Sequence, residues 1–253
     1  MSKGIALVTG AAQGIGRAIA LRLASDGFDV ALNDLVAKKD LVDAVAREVN
    51  ATGRRAFSVC TDVSVEAEVK GMIDEVVKAL GGLDVMVANA GISGKFRHVV
   101  DATVEGWDTA FAINTRGVFL CYKHAARQMI AQGRGGRIIG ASSAAGKRGW
   151  PVNAEYCASK FAIRGLTQSA ALELGQHKIT VNSYAPGIID TPMLDALLLK
   201  NGGDLSKQAI SATAAGYIGQ PEDIASIVSY LASGEAHFVT GQSISVDGGM
   251  VLS

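Results

Sequence analysis

Short apolar runs alternate with longer amphipathic stretches along almost the whole chain, and this alternation constrains the fold most strongly. The runs with strand character are Ile5–Val8, Val30–Asn33, Ala56–Cys60, Val85–Ala88, Arg137–Ala141, Thr180–Tyr184 and Ser243–Val246. The stretches with helical periodicity are Gly14–Asp26, Leu41–Ala51, Glu66–Leu80, Gly106–Ala131, Ala154–Gly175 and Pro221–Ala232. A repeated strand–helix–strand order is typical of right-handed parallel βαβ units. We therefore predict an α/β fold in which a doubly wound, seven-stranded parallel sheet carries helices on both faces.

Length and composition favour a single domain over residues 1–253. The chain has 253 residues, of which 49% are apolar and 19% charged, as expected for a sheet buried on both faces. One segment, about 188–218, follows Pro186-Gly187 and falls outside the strand–helix rhythm. We predict a substrate lid there, because ligands of open α/β sheets bind at the carboxyl ends of strands. An ordinary surface excursion is the alternative.

Several classes of partner are disfavoured by charge and cysteine usage. The 24 basic and 24 acidic residues balance, and no basic stripe predicts binding to nucleic acid or to a membrane surface. No apolar run is long enough to span a bilayer, and the amino terminus shows no signal-peptide pattern. Cys60, Cys121 and Cys157 are scattered, which predicts neither a disulfide framework nor a metal site. We expect a cytoplasmic location.

A glycine-rich turn, Thr9–Gly16, joins the first predicted strand to the first predicted helix. Glycine allows a tight turn and a close approach of the backbone to a pyrophosphate, and the helix amino terminus favours phosphate. The spacing Gly-x-x-x-Gly-x-Gly matches the common Rossmann fingerprint only in part. We assign cofactor binding to Gly10, Gln13, Gly14, Ile15 and Gly16. A glycine-rich turn without a ligand is the alternative.

Asp34 ends the second predicted strand, 18 residues after Gly16. A carboxylate there can accept both ribose hydroxyls of an adenosine and repels a 2′-phosphate. Neither Gln13 nor Leu35 supplies a cation for that phosphate. We therefore predict NAD(H) in preference to NADP(H). A capping or turn aspartate would be the structural explanation.

Two further polar segments follow strands at the same expected edge. Asp62-Val63 follows the third strand, and Asn89-Ala90-Gly91 follows the fourth. We predict that Asp62 receives the adenine amino group and that Asn89-Ala90-Gly91 packs close to the cofactor. Each segment alone would also be explained as a turn.

Tyr156 and Lys160 lie four residues apart in a predicted helix, so they share one face. A nearby ammonium favours the phenolate, which predicts a lowered tyrosine pKa and a role in acid–base chemistry. The pair is a weak signal alone. Combined with the glycine-rich turn, it indicates hydride transfer to or from a nicotinamide cofactor.

The ordered motifs resemble those of single-domain short-chain dehydrogenases/reductases over essentially the whole chain. The resemblance rests on Thr9–Gly16, Asp62, Asn89-Ala90-Gly91, Asn114, Ser142-Ser143, Tyr156–Lys160, Pro186-Gly187 and Thr191, in that order. The set is specific although no single member is. Ala88 departs from the family, many members of which carry asparagine there. The resemblance implies a Rossmann-type fold and, commonly, a homotetramer, with a homodimer as the alternative.

The resemblance also implies roles for individual residues. Ser143, 13 residues before Tyr156, would hold the substrate oxygen that Tyr156 protonates or deprotonates. Lys160 would bind the nicotinamide ribose, and Asn114 would anchor a water that relays protons from Lys160. The residues implied to hold the nicotinamide end of the cofactor, in addition to Tyr156 and Lys160, are Pro186, Gly187, Ile189 and Thr191.

Three segments, Phe161–Ala171, Thr180–Ile188 and Thr240–Val251, most resemble acetoin/diacetyl reductases and 2,3-butanediol dehydrogenases of this family. The residues expected to line the substrate pocket are Ser143, Ala144, Ala145, Trp150, Asn153, Tyr156, Ile188 and Met193. They include no cation for a carboxylate, so we predict a small neutral ketone or secondary alcohol. The alternatives are a 3-oxoacyl thioester reductase, a polyol or sugar dehydrogenase, and a nucleotide-binding protein without catalysis.

Overall fold

The computed structural model describes residues 2–195, 211 and 213–252. The strands of its single described sheet are β1 Ile5–Thr9, β2 Asp29–Asp34, β3 Ala56–Cys60, β4 Val85–Ala88, β5 Gly136–Ala141, β6 Ile179–Pro186 and β7 Ser243–Val246. The α-helices are α1 Gly14–Asp26, α2 Lys39–Ala51, α3 Glu66–Leu80, α4 Val104–Phe111, α5 Val118–Gln132, α6 Ala154–Leu174 and α7 Pro221–Ala232. All strand pairs are parallel. The predicted seven-stranded α/β fold is confirmed.

The strand order is β3-β2-β1-β4-β5-β6-β7, so the direction of winding reverses between β1 and β4. In open α/β sheets such a reversal opens a crevice at the carboxyl ends of the strands. Thr9, Asp34 and Ala88 are the last residues of β1, β2 and β4 and all lie at that edge. The fold therefore brings the segments after these strands together.

The sheet is buried on both faces, and β1 shows how its residues divide. Ala6 and Val8 join a core with α1, α2 and α7, whereas Ile5 and Leu7 join a core with α3, α5 and α6. This alternation follows from the two-residue period of a strand. It explains why β1 is apolar at four consecutive positions, and it confirms the prediction of helices on both faces.

Local signals account for several helix ends. Gly27, Gly81 and Gly133 follow α1, α3 and α5 with φ of 106°, 102° and 70°, the left-handed conformation that commonly terminates helices. At the start of α7, Gln220 and Asp223 form a capping box with Pro221 in the first turn. None of the described helices is long and apolar enough to cross a membrane.

One predicted helix differs in its interior. The stretch predicted as Gly106–Ala131 is helical from Val104 to Gln132, but a π-helical segment, Ala112–Gly117, separates α4 from α5. A π-helical turn has no sequence signal of its own, so the sequence pattern predicts one continuous helix. Asn114 lies inside this segment.

The described parts of segment 188–218 are joined at their base. Gly219 N–H donates to Ile188 O at 3.0 Å, and Asp190 N–H donates to Gly219 O at 2.9 Å. The two ends of the segment thus pair beyond the carboxyl end of β6. Residues 196–210 and 212 of the predicted lid lie outside the described residues. The lid and the single-domain organisation stay predictions.

Candidate active site

A cleft of about 450 Å³ opens at the carboxyl edge of the sheet, at the reversal between β1 and β4. Predicted cofactor residues that line it are Gly10, Gln13, Ile15, Gly16, Asp34, Asp62, Val63, Asn89, Ala90, Gly91, Pro186, Gly187, Ile189 and Thr191. Ser143, Tyr156 and Lys160 line the same cleft. The structure therefore brings together residues that are spread over most of the sequence. Gly14 and Asn114 are not among the described lining residues.

Asn89 fastens the glycine-rich turn to the end of β4. Its Nδ2 donates to the carbonyls of Thr9 at 2.8 Å and Gly10 at 3.2 Å, and Tyr184 Oη donates to its Oδ1 at 2.8 Å. Thr9 Oγ1 in turn accepts the backbone N–H groups of Asn89 and Ala90. These bonds show that Asn89 shapes the turn as well as lining the cleft.

The glycines of the turn meet two different steric demands. Gly10 has a left-handed φ of 66°. A Cβ on Gly16 would lie 2.1 Å from Gly10 O and 2.6 Å from Asn89 Nδ2, so the close packing of α1 on the turn requires glycine there. A Cβ on Gly14 would lie 3.3 Å from Thr191 Cγ2, so Gly14 packs against the segment after β6.

Asp34 is buried at the end of β2 with its carboxylate held by backbone donors. Oδ2 accepts Ala12 N–H at 3.1 Å and Oδ1 accepts Leu35 N–H at 2.9 Å. A carboxylate has about four acceptor positions, so two remain for a ligand. Lys38 lines the same end of the cleft, from the single turn Val36–Lys38. The sequence reasoning tested only positions 13 and 35 for a cation and missed it.

Asp62 and Val63 form the corner after β3. Asp62 Oδ1 accepts Ser64 N–H at 2.8 Å, and Asp62 N–H donates to Glu68 Oε2 at 2.7 Å. Val63 is buried, and a Cβ on Gly117 would lie 2.9 Å from its Cγ2. The corner is therefore built as a tight turn, and both of its residues also line the cleft.

Ser143, Tyr156 and Lys160 meet at one end of the cleft. Lys160 is only 3% exposed, and its Nζ donates to Ala141 O at 2.9 Å and lies 5.6 Å from the centroid of the Tyr156 ring. Burial lowers the pKa of Lys160 to about 8. Ser143 caps a short turn, where its Oγ accepts Ala145 N–H at 3.1 Å.

The pKa of Tyr156 departs from the sequence expectation. Burial raises the pKa of its phenol above the usual value, and a hydrogen bond with Ser143 opposes part of that rise. The predicted fall is absent because burial of the phenol disfavours the phenolate, and this is the largest influence on its pKa. The four-residue spacing places Lys160 Nζ 5.6 Å from the centroid of the Tyr156 ring, but burial still raises the pKa of the phenol.

Asn114 lies behind the cleft, fully buried in the π-helical segment. Its Oδ1 accepts Ile92 N–H at 2.8 Å, and its Nδ2 donates to Ile92 O at 2.9 Å and Ser159 Oγ at 3.1 Å. A Cβ on Gly91 would lie 3.1 Å from Asn114 Oδ1 and 3.3 Å from Lys160 Nζ. Asn114 thus stands beside Lys160, and both of its amide hydrogens are used within the protein.

The substrate end of the cleft differs in part from the expected pocket. Asn153, Ile188 and Met193 line it as predicted, together with Ile92, Ser93 and Phe96 from the loop after β4. Ala144, Ala145 and Trp150 are not among the described lining residues. Trp150 N–H donates instead to Cys157 Sγ at 3.4 Å, which holds that segment against α6. The only cations in the described lining are Lys38 and Lys160.

Glu155 supports the loop after β4 and was missed by the sequence reasoning. It is buried in the first turn of α6, and its Oε1 accepts Lys95 N–H at 2.9 Å. A Cβ on Gly94 would lie 2.8 Å from that oxygen, so the loop packs closely on the carboxylate. An acidic residue in a first helical turn was the only signal, and that pattern is common for electrostatic reasons alone.

The comparisons with known proteins agree with this arrangement. A family model described as enoyl-(acyl carrier protein) reductase matches residues 10–251. A short-chain dehydrogenase/reductase of Armillaria gallica is 57% identical over 252 residues, covering 98% of this chain and 96% of the relative. The chain belongs to the short-chain dehydrogenase/reductase family. It is therefore an oxidoreductase of a family that typically uses NAD(P) as its cofactor.

The names of other similar proteins refer to two kinds of substrate. An L-2,3-butanediol dehydrogenase of Corynebacterium glutamicum is 43% identical over 260 residues, covering 100% of both chains. A 3-oxoacyl-[acyl-carrier-protein] reductase of Staphylococcus aureus is 44% identical over 247 residues, covering 98% of both. The structure of an acetoin dehydrogenase from Salmonella typhimurium matches with a TM-score of 0.88 and 37% identity, over 99% of this chain and 96% of that one. Within the described residues, no group of three or more His, Cys, Asp or Glu side chains is arranged to hold a metal ion.

Proposed function

We propose that this protein is an NAD(H)-dependent oxidoreductase that interconverts a small neutral ketone and a secondary alcohol, of the diacetyl, acetoin and 2,3-butanediol type. The observation that carries the proposal is the character of the cleft around Ser143 and Tyr156. Its described lining there is largely apolar, with Ile92, Phe96 and Ile188, and Lys160 is the nearest cation. Such a site favours a neutral substrate over a keto acid, because a carboxylate would need its own charged partner.

The residues divide the proton chemistry between them. We assign the substrate oxygen to the Ser143 hydroxyl and the acid to Tyr156, since both residues line the cleft and Ser143 hydrogen-bonds to Tyr156. Because burial raises the pKa of Tyr156, the phenol keeps its proton at neutral pH and can donate it to a carbonyl oxygen being reduced. For alcohol oxidation Tyr156 takes the proton back. A nicotinamide cofactor, when bound in the cleft, would supply or accept the hydride.

Lys160 and Asn114 complete the proposed group. With a pKa of about 8, Lys160 carries a positive charge at neutral pH, and we assign it to the ribose hydroxyls of the nicotinamide half. Asn114 stands next to it across Gly91. Since both amide hydrogens of Asn114 are used within the protein, a water anchored there would bind its remaining Oδ1 lone pair or its backbone.

The residues of the other end of the cleft fit a dinucleotide. The left-handed turn at Gly10 and the start of α1 leave backbone N–H groups for a pyrophosphate, and Asp34 keeps two acceptor positions for ribose hydroxyls. Its negative charge disfavours a 2′-phosphate, which supports NAD(H). Lys38, on the same side of the cleft, is the described residue that would favour the phosphate, so the cofactor ratio must be measured.

A second candidate is a 3-oxoacyl thioester reductase, because the named relative from Staphylococcus aureus is 44% identical over 98% of this chain. A thioester on an acidic carrier would use a basic surface near the cleft and, commonly in this family, NADPH. The balanced charge of the chain and the paucity of cations in the described lining favour the small-ketone proposal.

The test is the rate of reduced-cofactor oxidation by the purified protein with diacetyl, acetoin and an acetoacetyl thioester, each with NADH and with NADPH. We expect fast NADH oxidation with diacetyl or acetoin. Tyr156→Phe is the matched control, because it removes the proton donor and keeps the ring, and it should bind NADH while losing turnover. A preference for NADPH and the thioester would overturn both the substrate and the cofactor proposals.

We also propose that the protein forms a homotetramer, with a homodimer as the smaller alternative. An outward strip of α6 supports an interface between copies: Phe161 is partly exposed, Leu172 is 87% exposed, and open space surrounds Gly165. Burying this strip against a second copy removes apolar surface from water. Sedimentation of the wild type and of Leu172→Arg tests the proposal, which fails if the wild type is monomeric.

A further inference from the structure

Asn153 carries an unexplained polar group at the substrate end of the cleft. The residue is 8% exposed and lines the cleft together with Ser143 and Tyr156. Its Oδ1 is buried and has no hydrogen-bond partner in the described part of the chain. An unpaired buried acceptor costs stability, so such atoms usually have a partner supplied by water or by a ligand.

The Asn153 side chain does not cap the helix that it precedes. Asn153 is the N-cap residue of α6, where an asparagine normally accepts a backbone N–H of the first turn, but here it makes no capping bond. The preceding Val152 has a left-handed φ of 57°, which is unusual for a β-branched residue. Arg97 N–H holds this corner by donating to Val152 O at 2.8 Å. A strained corner beside a reactive group is a feature typical of functional sites.

The position of the unpaired oxygen indicates which ligand group it would meet. Asn153 directly precedes α6 and Tyr156 lies in its first turn, and both residues line the same cleft. An amide oxygen only accepts hydrogen bonds, so its partner must be a donor. A ketone whose carbonyl lies between Ser143 and Tyr156 would bring a substituent on its adjacent carbon toward Asn153.

We propose that Asn153 Oδ1 accepts a hydrogen bond from a hydroxyl on the carbon next to the reacting one. The preferred substrates are then α-hydroxy ketones and vicinal diols, rather than simple ketones or diketones, which present no donor at that carbon. The assignment rests on the proposed function and narrows it, since acetoin and 2,3-butanediol carry this hydroxyl and diacetyl does not.

The test compares acetoin with 2-butanone, which has the same carbon skeleton without the hydroxyl. We expect the wild type to favour acetoin in kcat/KM by tenfold or more, the effect of one well-placed hydrogen bond. Asn153→Leu, which keeps the branch at Cγ but has no polar side-chain atoms, should reduce that ratio about tenfold. Asn153→Asp keeps an acceptor and should retain the preference. Thermal shift with NADH shows for each variant that the fold and the cofactor site persist.

A second readout needs no turnover. In the complex with NADH, 2,3-butanediol should bind about tenfold more tightly than 2-butanol to the wild type, and about equally to Asn153→Leu. Equal loss on both ligands would assign the unpaired oxygen to a structural water and overturn the proposal. A wild type that reduces acetoin and 2-butanone equally well would overturn it while leaving the proposed function intact. A wild type that turns over only the thioester would overturn both.

Discussion

Replacing Lys160 should change how the stability of the protein depends on pH. The ammonium is buried against Tyr156 and donates to Ala141 O, and burial lowers the pKa of Lys160 from 10.5 to about 8. Between those two values the unfolded chain holds a proton that the folded protein has released. Stability therefore rises with pH across this window, because the unfolded state binds more protons there.

The expected size follows from the two pKa values. Between pH 7 and pH 9.5 the folded protein gains about 2 kcal/mol of unfolding free energy from Lys160 alone. Lys160→Met lacks this gain. From pH 7 to pH 9.5 the unfolding free energy of the wild type should therefore increase, relative to that of the variant, by about 2 kcal/mol. Loss of the bond to Ala141 O lowers the variant's stability equally at both pH values, so it cancels in the comparison.

The assay is urea unfolding of both proteins at the two pH values without added nucleotide. Lys78→Met provides the control, because the Lys78 side chain is exposed on α3 and meets water in both states. A stability difference between wild type and Lys160→Met that stays constant from pH 7 to pH 9.5 would refute the buried-ammonium argument. A constant difference is expected for the control.

Four further outcomes follow from the site. Because burial raises the pKa of the Tyr156 phenol, the rate of ketone reduction should be nearly independent of pH through neutrality, while the rate of alcohol oxidation should rise with pH. Profiles of kcat/KM against pH in both directions test this, and an oxidation rate already constant below pH 7 would contradict it. Asp34→Ser should shift the ratio of NADPH to NADH affinity by about tenfold toward NADPH, and an unchanged ratio would show that Asp34 is not the ribose carboxylate. Gly16→Ala should lower the free energy of unfolding by about 1–3 kcal/mol and weaken NADH binding, because the new Cβ would lie 2.1 Å from Gly10 O. Denaturation and nucleotide titration measure the two effects, and wild-type values in both would refute the packing argument. Glu155→Ala should raise KM for the ketone more than it lowers kcat, because it leaves Lys95 N–H without its acceptor in the loop that lines the cleft. Glu155→Gln keeps the acceptor and should have kinetic constants closer to those of the wild type. A fall in kcat alone for Glu155→Ala would contradict this reasoning.

The fold could be predicted well because each strand of a doubly wound sheet has its own local signal. The apolar runs at β3, β4 and β7 were assigned with the bounds seen in the structure, and the other strands differ by one or two residues at their ends. The parallel, doubly wound arrangement follows from the repeated strand–helix–strand order, which the local sequence already shows. The π-helical segment around Asn114 could not be predicted in this way, because it has no sequence signal of its own and the apolar pattern predicts one continuous helix.

Site residues that directly follow a strand could be predicted from the sequence. Residues whose position depends on how the loops pack were predicted less well. The segments after β1 to β4 converge on one cleft because all parallel strands end at one edge. Trp150 is expected in the pocket from the sequence, but its N–H donates to Cys157 Sγ, and it is not among the described lining residues. Glu155 and Lys38 were missed because no sequence motif marks them. In the folded chain Glu155 accepts a hydrogen bond from the loop after β4, and Lys38 lines the cleft.

The behaviour of Tyr156 shows why spacing alone does not determine chemistry. Four residues of helix place its phenol near Lys160, and a charge at that distance would lower the tyrosine pKa if both groups stayed hydrated. Instead, burial raises the pKa of the phenol and lowers the pKa of the ammonium. The tyrosine therefore keeps its proton at neutral pH, and the lysine loses its proton more readily than a hydrated lysine would. A neutral phenol is the form that ketone reduction requires, so the protein's own residues are set for proton donation. Alcohol oxidation needs the opposite charge state, which a positive charge brought in by an oxidised cofactor would favour.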